Sequence, residues 1–391
     1  MNYYEEALKM HEENKGKIAV SSKVKLENRD DLSTAYTPGV AEPCREIAKD
    51  RKNVFKYTAK SNLVAVVSDG TAVLGLGDIG PEAAIPVMEG KSILFKQFGN
   101  VDAFPICLDT KDPEEIIKAV KQLAPVFGGI NLEDISAPKC FDIEQRLEAE
   151  LDIPVFHDDQ HGTAIVVTAA LLNALKVTGK KIDEIHVVLN GPGSAGTAII
   201  KMMLTAGVKH IIACDTKGIL YKDRPAGIIG HKKMLCEITN LEDRRGGLAE
   251  AVKGADVFIG VSVAGVLTPE MIGTMNSDPV VFAMANPVPE IMYDEAMAAG
   301  VKVMGTGRSD FPNQINNVLA FPGIFRGALD AGARDINDKM KLAAAYAIAE
   351  LVEPEKLCPE YIIPSAFDPR VAKHVAECVA KAAVESGAVR K

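Results

Sequence analysis

The chain has no basic excess, no paired cysteines and no long apolar run, and each absence narrows its chemistry. Its 44 Lys and Arg stand against 53 Asp and Glu, for a net charge of −9. A nucleic acid or an anionic membrane surface is held by a dense basic face, so neither is an expected partner. The seven cysteines are odd in number and include no Cys-x-x-Cys pair, which argues against a disulfide framework and a zinc knuckle. They read as reduced cytosolic thiols, most of them packing residues. The opening stretch MNYYEEALKMHEENK is charged and amphipathic, so no secretory signal is expected. The longest apolar stretch, 164–175, is broken by Thr168 and Asn173 and is too short to span a bilayer. The expected setting is the cytoplasm.

What is present reads as a large α/β protein. At about 150 residues per domain, 391 residues make two or three domains, and a hydrophobic content of 47% supplies a core by burial alone. From residue 185 on, short β-branched runs recur at 185–190, 210–215, 256–261, 280–285 and 301–305. Between them lie Ala-, Leu- and Met-containing stretches at helical spacing, each closed by Gly or a polar stop. That alternation marks a parallel sheet with crossover helices and places a doubly wound, Rossmann-like domain at 162–335. The first half, 1–161, has a different texture. It opens with a helix over 2–14 and a turn-rich segment through Tyr36, followed by strands at LVAVVSDG and SILFKQF and a helix at PEEIIKAVKQLAP. It reads as an α/β domain in its own right. After Asp335 the pattern is helical again, and 336–391 is expected to return onto the N-terminal domain.

The run IHVVLN leads directly into Gly191-Pro192-Gly193-Ser194-Ala195-Gly196 and then a helical stretch, which is Gly-x-Gly-x-x-Gly in its required context. Gly191 makes the tight turn, Gly193 lets backbone approach a pyrophosphate, and Gly196 lets helix and strand pack closely. Free N–H groups at the helix start then face the phosphates. Pro192 has no N–H to donate, so phosphate recognition rests on Gly193, Ser194 and Ala195. About twenty residues on, Asp215 closes the next strand, where its carboxylate suits a ribose 2′-hydroxyl and repels a 2′-phosphate. This favours NAD over NADP, with Lys217 as a nearby opposing charge.

Carboxylates gather at Glu133-Asp134 in GGINLEDIS and Asp158-Asp159 in FHDDQHGTA. Adjacent strand residues point to opposite faces, so Glu133 and Asp134 converge only where a strand ends and the backbone turns. Oxygen ligands alone suit a hard divalent ion, Mg²⁺ or Mn²⁺, with positions left open for substrate. For the second pair, an acidic helix N-terminus is an equal reading. His157 and His161 flank it, but no thiol pair supports zinc, and both are expected to back the acids or to be structural. Tyr36 and Lys91 each lie near glycine in ordinary turn or surface contexts. Together they offer a base for a hydroxyl proton and an acid that returns one to carbon.

As a set, these residues resemble the malic enzymes of the compact bacterial and archaeal type. The resemblance runs over most of the chain through AYTPGVAEPC, the segment from VSDGTAVLGLGD to FPICLDT, INLEDISAPKCF, PVFHDDQHGTA, NGPGSAG, MANPVPEI and QINNVLAFPGIFRGAL. It implies metal-dependent oxidative decarboxylation of (S)-malate to pyruvate and CO2 with reduction of NAD(P), and oxaloacetate decarboxylation as a side activity. By the same resemblance Tyr36 is the general acid, Lys91 the general base and a substrate contact, and Glu133, Asp134 and Asp159 the metal ligands. Asp158 lies beside them, Asn286 faces the cofactor and Asn317 the substrate. The larger malic enzymes carry a substrate-binding arginine where this chain has Ala72. Tyr36 is expected to act across a dimer interface, which makes a homodimer the minimal active unit. Two rivals are a hydroxy-acid or amino-acid dehydrogenase that does not decarboxylate, which EDTA would spare, and a silent NAD(P)-binding module.

Overall fold

The computed structural model describes residues 2–390 apart from Leu74, Ala226 and Ile229. Strands β1 (Leu63–Ser68), β2 (Asp102–Cys107), β3 (Gly129–Leu132) and β4 (Val155–His157) form a parallel sheet in the order β2-β1-β3-β4. Strands β5 (His186–Asn190), β6 (His210–Asp215), β7 (Gly218–Ile219), β8 (Val257–Gly260), β9 (Val280–Ala283) and β10 (Val303–Thr306) form a second sheet, ordered β10-β9-β8-β5-β6-β7. Only β7 runs antiparallel, against β6. The strand order reverses between β5 and β8, the switch point at which a doubly wound sheet opens a ligand crevice. The fold is therefore mixed α/β with a Rossmann-like half, as the alternation of runs indicates.

One expected element is wrong. SILFKQF is not a strand but the end of a 19-residue helix, Pro81–Gly99. Its buried residues Ala84, Met88, Lys91, Ser92, Phe95 and Gly99 repeat at steps of three and four, the helical period. Pro86 and Gly90 disguise this in the sequence as a break. The strand that pairs with β1 at that edge is DAFPIC, and its edge position tolerates Pro105, which has no N–H to give a neighbour.

The helix Asp158–Thr178 joins the two sheets, and the expected junction at 161/162 falls within its first turn. It is the one segment among the described residues that is long and apolar enough to cross a membrane. Fourteen of its 21 residues are buried inside the fold, so it serves as a core helix. One continuous apolar cluster runs from Val64 and Val66 of β1 through Ala164–Leu175 to Val187 and Leu189 of β5 and on into the C-terminal helices. The helices Phe321–Asp330, Asp338–Glu350 and Arg370–Glu385 pack on one another. The first also covers Pro81–Gly99, where Phe95 meets the rings of Phe321 and Phe325 at 4.7 and 5.2 Å. Asn173 ties the joining helix to this layer by donating to the carbonyls of Ala349 and Ile362 at 2.9 Å. By contrast, the helices Tyr3–Asn14, Arg29–Ala35 and Ala41–Lys49 bury no residue at all.

Candidate active site

Parallel strands deliver their C-terminal ends to one side of a sheet, and both sheets use that side. β3 ends at Leu132, and Asp134 then takes a positive φ of 54°, the turn that Glu133 and Asp134 need in order to converge. β4 ends at His157, and the next two residues open the Asp158–Thr178 helix. Carboxylate oxygens of Glu133, Asp134 and Asp159 lie within 4.8 Å of one another. Asp159 also accepts the backbone N–H of Asp134 at 2.7 Å, Glu133 accepts from Asn131 at 2.8 Å, and the Ala72 N–H donates to the Asp134 carbonyl at 3.0 Å.

Lys91 reaches this cluster from the middle of the Pro81–Gly99 helix. The residue is 7% exposed, with Nζ 2.6 Å from Asp158 Oδ2 and 2.8 Å from Glu133 Oε1, over the ring of Phe321. Asn317 donates to the same Asp158 oxygen. Burial works against the ammonium, but Asp158, Glu133 and Asp159 outweigh it and hold Lys91 charged well above its ordinary range. The acids are strained in the other direction. Burial, then mutual repulsion with Asp159 and Glu133, pushes Asp134 up to about 9, and burial lifts Asp159 to about 6 and raises Glu133.

The donor set fits a hard divalent cation. It is all oxygen, its charges repel in a dry pocket, and Asp134 Oδ2 is buried without a hydrogen-bond partner, the condition that a bound cation relieves. Behind the acids, Glu144 accepts the His157 N–H at 2.7 Å, the Gln160 amide at 3.1 Å and a hydrogen bond with His161 at 3.1 Å. Despite its burial, His161 and Lys341 hold Glu144 down at about 2. Both histidines thus stand behind the acids. Glu144 was not anticipated, although the sequence carries a signal: it shares the helical stripe Cys140, Ile143, Glu144 and Leu147, and a charge on an apolar stripe needs a partner.

The glycine turn after β5 behaves as its motif demands. Gly191 has φ 101°, and a Cβ there would meet the Val261 carbonyl oxygen at 2.5 Å. A Cβ on Gly196 would meet the Gly191 carbonyl oxygen at 2.2 Å, whereas Gly193 faces open space. Ser194 and Ala195 open the following helix. The turn lines a cleft of about 790 Å³ shared with Asp215, Lys217, His231 and Lys232, a size suited to a cofactor. Asn286 is exposed on the turn after β9, and its carbonyl lies 3.1 Å from where a Cβ of Gly75 would stand. Gly75 of the first half thus closely approaches the cofactor half.

The chain matches the family model described as the malic enzyme NAD-binding domain over 160–384, and that of the malic enzyme N-terminal domain over 14–115 and 110–148. The chain belongs to the malic enzyme family. It is similar to the bifunctional malic/malolactic enzyme of Bacillus subtilis, at 59% identity covering 100% of this chain and 95% of that one. It is also similar to the NAD-dependent malic enzyme of Geobacillus stearothermophilus, at 59% identity over 96% and 78% of the two chains. The crystal structure of a malic enzyme from Pyrococcus horikoshii superposes with a TM-score of 0.95 at 53% identity, covering 100% of this chain and 92% of that one.

One expected residue of this malic enzyme stands apart from the cluster, and another, on the cofactor side, is already engaged. Tyr36 is 67% exposed at the end of the helix Arg29–Ala35, and among the described residues its side chain makes no hydrogen bond to the acids or Lys91. Asp215 does close β6, but its carboxylate already accepts from Lys217 N–H at 2.9 Å, from Arg224 at 2.9 and 2.7 Å and from Lys232 at 2.6 Å. Although burial opposes it, this cationic grip holds the Asp215 pKa far below the usual carboxylate range. Arg224 and Lys232 were not read from the sequence, because nothing in their spacing ties them to β6.

Proposed function

We propose that this malic enzyme oxidises (S)-malate with NAD(P) in the presence of Mg²⁺ or Mn²⁺ and releases pyruvate and CO2. The observation that carries the site is Lys91 seated between Asp158 and Glu133 at the rim of a three-carboxylate oxygen cluster. In this reading Glu133, Asp134 and Asp159 would hold the divalent ion, which would stabilise negative charge on the substrate oxygen, and a dinucleotide held at Gly191–Gly196 would supply the hydride acceptor. As the neutral amine, Lys91 would take the C2 hydroxyl proton, and Asp158 would hold the resulting ammonium in place to return that proton to the C2 oxygen when the bond to the departing CO2 breaks. A cation among the acids offsets the carboxylates that keep Lys91 protonated, which brings its pKa down toward a useful base. Asn317 orients the substrate through the oxygen environment it shares with Asp158, and Asn286 contacts the cofactor. Tyr36 protonates C3 of the enol. Decarboxylation of added oxaloacetate follows from the same groups.

Residues 1–161 act as the substrate-binding half, 162–335 as the cofactor half and 336–391 as the layer that locks them together. Gly191, Gly193, Ser194, Ala195 and Gly196 hold the pyrophosphate, with Asp215 on the adenosine ribose, and NAD is the preferred cofactor. Support comes from the acid at the end of β6 and from the NAD-dependent enzyme of Geobacillus stearothermophilus. A homodimer is the working unit, in the cytoplasm. The N-terminal helices bury nothing yet expose Tyr3, Tyr4, Leu8 and Tyr36, an apolar surface of the kind that subunits cover. The test is an absorbance assay of NADH formation from malate, with Mn²⁺ and then with EDTA. Turnover abolished by EDTA and restored by Mn²⁺ supports the reading, and turnover indifferent to EDTA sinks it in favour of a plain hydroxy-acid dehydrogenase.

A further inference from the structure

A second set of ligating side chains lies at the far edge of the cofactor sheet. His186 and His210 are the first residues of β5 and β6 and pair in register. Their rings stack with centroids 4.7 Å apart and planes 15° from parallel. Glu242 approaches from the loop that follows Asn240. One of its oxygens, Oε1, lies 3.9 Å from His186 Nε2 and 3.9 Å from His210 Nδ1, and the three donors lie within 4.8 Å of one another.

These separations are too long for hydrogen bonds. A zinc-class ion binds imidazole nitrogen and carboxylate oxygen at about 2.0–2.2 Å, so small side-chain rotations close the three donors around one. We propose that His186, His210 and Glu242 form a binding site for such a transition-metal ion, separate from the all-oxygen cluster of the active site. At about 3.3 Å per strand residue, the four steps from His186 to Asn190 put it about 13 Å from the dinucleotide end of β5.

The surroundings are built for it. The Asp256 carboxylate lies 3.8 Å from His186 Nδ1 and is fixed by Lys180 at 2.7 Å and by the His186 N–H at 2.9 Å. A carboxylate hydrogen-bonded to the far nitrogen of a ligating histidine sets the ring's orientation and raises its basicity, and the side-chain rotation that brings His186 onto an ion has to close this 3.8 Å gap as well. The loop carrying Glu242 is pinned by Asn240, whose N–H donates to Ile211 and whose amide donates to Leu220 and Arg244 carbonyls and accepts the Arg244 N–H. The Arg244 guanidinium lines the same pocket but donates to the carbonyls of Glu250 and Lys253. Among the described residues, the two histidines are the only nitrogen-bearing side chains within salt-bridge distance of Glu242. Mixed nitrogen and oxygen donors favour Zn²⁺ over Mg²⁺, and three protein ligands leave a position for water. A bound ion would staple β5, β6 and the 240–245 loop.

Zn²⁺ titration by calorimetry, in excess Mg²⁺ to fill the carboxylate cluster, tests the site on the full chain. The expected result is one Zn²⁺ per chain, with affinity reduced at least ~10-fold in His210→Gln and in Glu242→Gln, which removing a ligand should cost at minimum. Zn²⁺ should also raise the Tm of the wild type and of neither variant. Both positions are partly or fully exposed, and Mg²⁺-supported turnover in the variants should equal that of the wild type, which checks the fold. Equal Zn²⁺ binding in all three proteins, or no binding in the wild type, overturns the proposal.

Discussion

Lys91 Nζ and Asp158 Oδ2 stand 2.6 Å apart, buried where the two halves of the chain meet, and each depends on the other. Asp158 has no other cation within salt-bridge distance among the described residues, so removing Lys91 leaves its charge in a dry pocket. Lys91→Met should therefore lose turnover by a factor of about 10²–10⁴, the range for a lost acid–base group. It should also cost about 3–5 kcal/mol of stability, as breaking a buried pair does. Steady-state rates and urea unfolding measure the two effects, while NAD binding by fluorescence should be unchanged.

Asp215 and Arg224 give a test of cofactor choice. The carboxylate grips Arg224 and Lys232, so Asp215→Ala removes the acid that neutralises Lys232 at the cleft, while Arg224 stays held by the carbonyls of Gly218 and Ile219. A 2′-phosphate then finds positive charge where it had met a neutralised one. The ratio of kcat/KM for NAD to that for NADP should fall by ~10-fold or more, a change worth about 1.4 kcal/mol. An unchanged ratio would mean that the adenosine ribose lies elsewhere.

How much of this was legible depends on what each signal measures. The β5–β10 half is legible because buried parallel strands are short β-branched runs, and four of the helices between them are followed within two residues by glycine, at Gly207, Gly254, Gly273 and Gly300. The Pro81–Gly99 helix is hidden in the sequence because Pro86 and Gly90 look like breaks, whereas the burial of Met88, Ser92 and Phe95 is a three-dimensional fact. The glycine turn is local and declares its own geometry. The convergence of Glu133 with Asp159 is not local: it depends on β3 and β4 lying side by side, and only the resemblance to a family anticipated it. Arg224 and Lys232 act through a partner on another element, so their residue types alone carry no message, whereas Glu144 is marked only by its place on an apolar helical stripe.

Glu148 offers a pH test away from the carboxylate cluster. Burial, reinforced by Glu144, lifts its pKa from 4.5 to about 7. An acid that binds its proton more tightly when folded contributes stability that is full below its unfolded pKa and is lost as pH rises through the folded one. Its contribution should therefore fade between about pH 4.5 and 7. His157 and His161, held neutral by burial, act with the opposite sign, losing stability as pH falls below about 6.5. The difference between wild type and Glu148→Gln isolates the carboxyl. The variant should gain relative stability as pH rises from 4.5 to 7, read as Tm in a pH series, and a constant difference would refute the shift.

Tyr36 and Lys91 separate two architectures of the same chemistry. Within one chain, Tyr36 lies exposed on helices that bury nothing, whereas Lys91 is buried at the acids. If the tyrosine serves the partner's site, Tyr36→Phe and Lys91→Ala should each be nearly inactive alone yet complement when mixed. A heterodimer then has one site with Lys91 from the first variant and Tyr36 from the second. With random exchange, half the dimers are mixed and each has one working site of two, so activity should recover to about a quarter of wild type. A tyrosine acting within its own chain leaves both sites of every heterodimer broken, and exchanged mixtures would stay as inactive as their parents.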